Sequence, residues 1–205
     1  MKIFITGTDT NVGKTVFSAA LSGALHATYW KPIQAGGLDQ MDCETVRNLC
    51  GRPKLKILPE GYRLTTPCSP HRAAELDSVL IDPRGLQLPD ADPLIVEGAG
   101  GLLVPVTRQT LVIDLVKGWQ LPVVLVAPTS LGTINHSLLS IEALQSRRIE
   151  ILGIAFVGEP SPDSEAVICT LGGVKRLGRL PILAALDKET LGRAFAANFN
   201  LSDFQ

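Results

Sequence analysis

The residues best equipped for chemistry stand close to the start of the chain. Gly7-Thr8-Asp9-Thr10-Asn11-Val12-Gly13-Lys14-Thr15 follows directly on an apolar run, Lys2–Thr6, and opens a stretch of helical composition, Lys14–His26. Glycine allows backbone conformations closed to other residues, so a glycine-bearing loop can wrap an anion with its N–H groups. The helix that follows points unpaired N–H groups and the positive end of its dipole at the same anion. In such a loop Lys14 reaches the β- and γ-phosphates of a nucleoside triphosphate and the Thr15 hydroxyl binds Mg²⁺, while Asp9, Thr10, Asn11, Val12 and Gly13 form the cradle. Five residues separate Gly7 from Gly13, against four in the general G-x-x-x-x-G-K-[ST] pattern, and Thr8 takes the place of its first glycine. A capped helix start with an exposed lysine is the plainer alternative; the strand before the loop and the helix after it argue against that.

A second constellation supports the first. Leu94-Ile95-Val96-Glu97 runs into Gly98-Ala99-Gly100-Gly101, which reads as a buried strand ending in a carboxylate and a glycine turn. Open α/β sheets bind ligands at such strand ends, and Mg²⁺ takes oxygen ligands, few of them from protein. Alone, Glu97 would pass for a capping or salt-bridged residue; beside the phosphate loop it reads as a metal ligand. Lys31, in Tyr29-Trp30-Lys31-Pro32-Ile33, ends a second strand and is held extended by Pro32. It is either a second cation beside a transferred phosphoryl group or a solvated surface lysine. Asp42 opens another helix-like stretch and is either a helix N-cap or a third oxygen ligand for the metal.

An α/β framework must hold these residues in place. Apolar, β-rich runs at Lys2–Thr6, Tyr29–Ile33, Leu94–Glu97, Val123–Ala127 and Ile151–Val157 alternate with helix-like stretches. Those stretches are Lys14–His26, Asp42–Leu49, Leu111–Trp119, Asn135–Ser146, Asp163–Leu171 and Lys188–Asn198. The alternation implies βαβ units and a mostly parallel sheet with helices on both faces. The runs are apolar throughout, as two-sided burial demands. The segment Arg52–Pro70 shows no period and reads as an irregular surface excursion within a single domain spanning residues 1–205.

Composition narrows the function classes. The 205 residues suffice for one domain with a real core and are too few for two comfortable ones. With 45% apolar and 19% charged residues, the chain is ordinary globular protein and not a disordered segment. A net charge of −1 offers nucleic acid or an anionic membrane no overall attraction. Runs such as Val123–Ala127 are too short to cross a bilayer, and no secretory signal is visible at the N-terminus. The four cysteines (Cys43, Cys50, Cys68, Cys169) form no C-x-x-C pair and read as reduced thiols in a cytoplasmic protein. His26, His71 and His136 are scattered, without metal spacing.

Five segments stand in a fixed order over residues 3–140: Gly7–Thr15, Trp30-Lys31-Pro32-Ile33-Gln34, Pro67-Cys68-Ser69-Pro70-His71, Val96-Glu97-Gly98-Ala99-Gly100-Gly101 and Leu131-Gly132-Thr133-Ile134-Asn135-His136. Together they resemble the dethiobiotin synthase family, including its long spacing between the loop glycines. The resemblance implies a P-loop NTPase fold and a homodimer with shared active sites. It also implies the ATP- and Mg²⁺-dependent carboxylation of 7,8-diaminononanoate with CO₂ in biotin synthesis. One amine captures CO₂ as a carbamate, the carbamate oxygen takes the γ-phosphoryl group, and the neighbouring amine closes the ring and expels phosphate. Such chemistry asks for alignment and charge neutralisation more than for a covalent nucleophile. By motif match, Lys14 and Lys31 neutralise phosphates and carbamate, Thr10 lies near the γ-phosphate, and Thr15, Asp42 and Glu97 hold Mg²⁺. Asn11, Lys31, Ala35 and Gly100 face the substrate. Thr133 and Asn135, at a helix N-terminus, hold its carboxylate across the dimer interface. Val157 and Pro181 flank the base.

This chain departs from the family pattern at three of these positions. Asn11 stands where some members carry a glutamate, Ala35 replaces a small hydroxyl residue, and Val157 replaces an asparagine that reads the adenine edge. A valine side chain neither donates nor accepts, so ATP or another nucleoside triphosphate is the expected co-substrate. The main alternative is an ATPase of the partitioning and cell-division type. Those typically open the loop with Lys-Gly-Gly, which is absent here, and carry a basic amphipathic C-terminal helix unlike Asn200–Gln205. An amidotransferase synthetase domain of the corrin pathway and a non-catalytic nucleotide switch are weaker readings; the switch would need neither Lys31 nor Leu131–His136.

Overall fold

The apolar runs form strands whose alternate residues face opposite ways, and each face meets its own helices. This is seen in a computed structural model, which describes residues 1–204. The single-domain span expected from the sequence ends at Gln205, outside the described residues. In β1 (Lys2–Gly7), Ile3 and Ile5 pack with Phe17 and Leu21 of α1 (Lys14–Leu25), whereas Phe4 packs on the opposite side with Trp30 and Val116. Both faces are dry, and so Ile3, Phe4 and Ile5 are all apolar, while Thr6, nearer the carboxyl end, is buried as well.

The main sheet has six strands in the order β2-β5-β1-β6-β7-β8, all parallel. They are β2 (Thr28–Trp30), β5 (Leu94–Gly101), β1, β6 (Val123–Pro128), β7 (Ile151–Val157) and β8 (Arg176–Leu180). One face carries α1 with α2 (Asp42–Leu49) and α7 (Lys188–Asn198), around Phe17, Val46, Leu191 and Phe195. The other carries α3 (Pro70–Leu76), α4 (Val112–Trp119), α5 (Thr133–Ser146) and α6 (Pro162–Gly172), around Ala73, Ile113, Ile141 and Ile168. The parallel sheet and two-sided helical cover match the expected fold class. Among the described residues no helix is long and apolar enough to cross a membrane.

Three expectations need correction. The run Tyr29–Ile33 is two strands, because Lys31 and Pro32 leave the main sheet: β3 (Ile33–Ala35) pairs instead with β4 (Tyr62–Leu64) in a small parallel sheet. The Pro32 carbonyl is engaged by the Gly61 and Tyr62 N–H groups, and a proline has no N–H with which to continue the first ladder. The stretch Arg52–Pro70 is therefore partly ordered, contributing β4 and the start of α3. Lastly, Gly98–Gly101 is no turn. It continues β5, with Gly7 paired to Gly101, and the register shifts between Ile5 and Gly7. A Cβ on Gly98 would lie 2.7 Å from Phe4 Cζ, so glycine is required there by packing.

Candidate active site

The phosphate loop, the break after β2 and the glycine-rich end of β5 meet at the carboxyl edge of the sheet, where a cleft of about 770 Å³ opens. Gly13 caps α1 at φ 94°, left-handed backbone that a residue with a side chain would adopt only under strain. Its own face is crowded too: a Cβ would sit 3.0 Å from Val157 Cγ1. Lys14, the first residue of α1, turns back so that its Nζ donates to the Asp9 carbonyl at 2.6 Å. Burial lowers the Lys14 pKa to about 8, against the opposing pull of Glu97.

At the centre stands Glu97, fully buried on β5. Its Oε1 accepts from Thr15 Oγ1 at 2.8 Å and from Lys31 Nζ at 3.1 Å; its Oε2 accepts from Tyr29 Oη at 2.9 Å. Lys31 Nζ also meets Asp42 Oδ2 at 2.5 Å. Lys31 is 5% exposed and sits between two carboxylates, which excludes the solvated-lysine alternative. Burial alone would pull its pKa down, but Glu97 and Asp42 outweigh that and hold it above the ordinary lysine value. Burial first, then Glu97, pushes the Tyr29 phenol well above its usual range. Asp42 is not the helix N-cap, which is Met41; it is the first residue of α2, and its carboxylate faces Lys31.

Whether this set suits Mg²⁺ is a question of donors. The Asp42 and Glu97 carboxylates converge on the Lys31 ammonium, which marks a position that stabilises positive charge, and the Thr15 hydroxyl joins the set by donating to Glu97. All are hard oxygen donors, as Mg²⁺ prefers. Among the described residues there is no cluster of three or more His, Cys, Asp or Glu suited to a metal. A set with few protein ligands fits an ion that completes its shell with water and phosphate oxygens, and the residues therefore fit.

Thr10, Asn11, Gly13, Lys14, Thr15, Lys31, Ala35, Asp42, Glu97 and Gly100 all line the one cleft. Thr10 and Gly100 are neighbours in its lining: a Cβ on Gly100 would lie 3.8 Å from Thr10 Cγ2. The others stand apart. Asp9 is exposed and accepts from the Thr10 N–H at 2.7 Å, while Val12 turns its side chain into the core. Val157 packs behind Gly13, and Pro181 follows β8, whose Leu180 carbonyl accepts from the Gly158 N–H. Thr133 and Asn135 open α5 away from the cleft, Thr133 buried against Ser137 and Asn135 exposed. Leu131, just before them, is fully exposed.

Several residues at the site are not singled out by the sequence. Tyr29, which meets the site through Glu97, is visible only as a strand residue, although a buried tyrosine needs a partner for its hydroxyl. Gln34 and Pro67–Ser69 belonged to quoted segments without an assigned role; both line the cleft. The wall is tight there, since a Cβ on Gly36 would lie 2.4 Å from Pro67 Cα. His71 hydrogen-bonds Ser69 Oγ through Nδ1 at 3.0 Å, a local contact at the start of α3. All four cysteines are free thiols.

Known proteins of similar sequence and shape place the chain in a family and a fold. Residues 1–190 match a family model described as an AAA domain. The ATP-dependent dethiobiotin synthetase BioD of Novosphingobium aromaticivorans is 61% identical over 98% of this chain and 97% of its own length. The protein of the same name from Rhodopseudomonas palustris (strain BisB5) is 61% identical over 98% and 96%. Among solved structures, the cell division ATPase MinD of Pyrococcus furiosus aligns with a TM-score of 0.59 at 13% identity, covering 99% of this chain and 98% of that one. A ParA family ATPase from Chlorobium tepidum TLS aligns at 0.53 and 12%, covering 95% and 97%. At such identities these structures share the fold alone, the P-loop NTPase fold. Sequence identity above one half along nearly the whole chain is decisive, and the chain belongs to the ATP-dependent dethiobiotin synthetase family.

Proposed function

We propose that the protein closes the ureido ring of dethiobiotin from 7,8-diaminononanoate and CO₂ at the expense of ATP, with Mg²⁺ as the metal. The observation that carries this reading is Lys31, buried between Asp42 and Glu97 in the same cleft as the phosphate loop. A nucleotide hydrolase needs no buried lysine there; a reaction that must hold a second anion beside the γ-phosphate does.

On this reading Lys14 leaves the Asp9 carbonyl for the β- and γ-phosphates, and loop N–H groups at the start of α1 hold the remaining oxygens. Thr15, Asp42 and Glu97 would hold Mg²⁺, which supplies charge neutralisation at the transferring phosphoryl group. One amine of the substrate adds to CO₂ and loses a proton, giving a carbamate. Lys31 holds its negative charge against the phosphate charge and aligns one oxygen for attack. Phosphoryl transfer gives a mixed anhydride and ADP. The neighbouring amine then attacks the carbonyl carbon, the C–O bond to phosphate breaks, and the ring closes with loss of a proton. Thr10 and its neighbour Gly100, with Asn11 and Ala35, border the space between phosphate and substrate.

The chain works as one domain and as a cytoplasmic homodimer. Thr133 and Asn135 stand outside their own cleft, next to the exposed Leu131, which suits residues that serve a partner's substrate. The base lies toward Val157 and Pro181. Net charge −1 gives no reason to expect nucleic acid or membrane partners. Incubation with the diamine, bicarbonate and each nucleoside triphosphate, followed by mass analysis, tests the reading: dethiobiotin forms only with all components present. Hydrolysis that needs no diamine, yields no new product and responds to DNA or lipid would instead support a partitioning ATPase.

A further inference from the structure

Gln34 sits in β3, 6% exposed, in the wall of the cleft that holds Lys14, Lys31 and Glu97. Its Nε2 donates to the Gly36 carbonyl at 2.8 Å, while its Oε1, closed off from solvent, has no hydrogen-bond partner. The bond to Gly36 settles which way the amide points, since a carbonyl can be satisfied only by the nitrogen end. Buried acceptors without donors are costly and uncommon. In the wall of a reaction cleft, such an amide can satisfy its oxygen by turning toward a ligand that brings a donor.

The donor can be identified by elimination among the reactants. Phosphates, carbamate oxygens and the substrate carboxylate only accept. The donors of the nucleoside lie, on the reading above, toward Val157. Apart from water, what remains are the N–H groups of the diamine. We infer that Gln34 is a substrate-reading residue whose amide oxygen accepts a hydrogen bond from one amine nitrogen of the diamine. The amide end turns about its soft terminal torsion to present Oε1 as the substrate arrives. An amide oxygen suits this task better than a carboxylate. Attack on a carbonyl carbon needs a neutral amine with a free lone pair, and a nearby carboxylate would favour the ammonium form. Held by one N–H, the nitrogen has its lone pair left for the carbon.

This inference rests on the proposed reaction and is tested by Gln34→Met, which keeps the volume and removes the amide. The KM for diamine at saturating ATP and bicarbonate should rise about tenfold, the loss expected for one buried hydrogen bond. The KM for ATP should stay within about twofold of wild type, since no phosphate contact is lost. The monoamines 7-aminononanoate and 8-aminononanoate, measured as competitive inhibitors, locate the nitrogen: the substitution weakens one about tenfold and spares the other. An unchanged diamine KM, a matching rise in the ATP KM, or equal weakening of both monoamines overturns the inference. Should Gln34→Met fail to fold by circular dichroism, Gln34→Ala carries the same expectations, since β3 already accommodates alanine at Ala35. A wild-type enzyme without diamine-dependent turnover removes the underlying reading instead; one that turns over but ignores Gln34 removes only this inference.

Discussion

Two buried regions flank α1 and are built on opposite principles. Beside its first turn, Thr15, Tyr29, Lys31, Asp42 and Glu97 form a charged, hydrogen-bonded cluster. Farther along the helix, Phe17 meets Phe199 edge-on at 5.5 Å, and Phe195 stacks on Phe199 at 4.7 Å, with Phe204 closing the group. Aromatic burial is favourable in itself. Burying Lys31 and Glu97, with Asp42 only half-buried beside them, is not, because desolvation offsets much of the attraction between the charges, and apolar residues of similar size would often be as stable. The difference teaches where to look for function: the region whose presence stability does not explain.

Substitutions can break this contrast. Lys31→Met should lower kcat about 10³-fold, as removal of one preorganised charge in a reaction site does. The variant should still bind nucleotide, read by fluorescence of a labelled analogue. Phe17→Ala should do the reverse: a loss of about 3–5 kcal/mol in denaturant unfolding, with KM and kcat unchanged below the transition. If Lys31→Met mainly unfolds the protein, or Phe17→Ala mainly slows it, the division fails.

On the proposed reading the base lies toward Val157, and base preference sharpens the comparison. Val157, which packs on Gly13, offers no hydrogen bond to a base. ATP, GTP and CTP should therefore support turnover with kcat/KM values within about two orders of magnitude, the range of a mainly apolar pocket. The spread should lie in KM, since the phosphates are gripped alike. A much steeper preference for any one base would mean that another group reads it.

The smallest effect belongs to Asp187, which caps α7 and belongs to neither cluster. Its carboxylate accepts from the Glu189 and Thr190 N–H groups at 2.9 Å, and the backbone bond from Thr190 leads in holding its pKa below the ordinary aspartate value. A depressed carboxylate contributes stability above the usual carboxylate range and loses it as pH falls through its folded pKa. Asp187→Ala should lower the melting temperature slightly at neutral pH. The gap to wild type should close in acid, and the kinetics should not change.

Much of this was legible in the sequence, for reasons that also explain the rest. The interior strands β1, β5, β6 and β7 are buried on both faces and so read as apolar runs. Strand β8 lies at the sheet edge and reads Arg-Leu-Gly-Arg-Leu, with nothing in its apolar content to mark it. β3 and β4 have three residues each, too few to show a period. The phosphate loop was legible because its chemistry is local. The pairing of Lys31 with Asp42 and Glu97 was not, because it joins residues from β5, α2 and the break after β2. That break depends on hydrogen bonds from Gly61 and Tyr62, which no local pattern announces. Gln34 shows the same limit, since an unused acceptor is a property of the packed wall and not of the residue.

The fate of one oxygen atom tests the central claim most directly. If Lys31 aligns a carbamate for attack on the γ-phosphate, an oxygen that entered as CO₂ must leave on inorganic phosphate. With ¹⁸O-labelled CO₂, supplied fresh so that exchange with water is slight, and the diamine present, each phosphate released should carry one ¹⁸O from CO₂. The ring carbonyl should keep the other. Phosphate that instead takes its new oxygen from water would show plain hydrolysis and contradict the account.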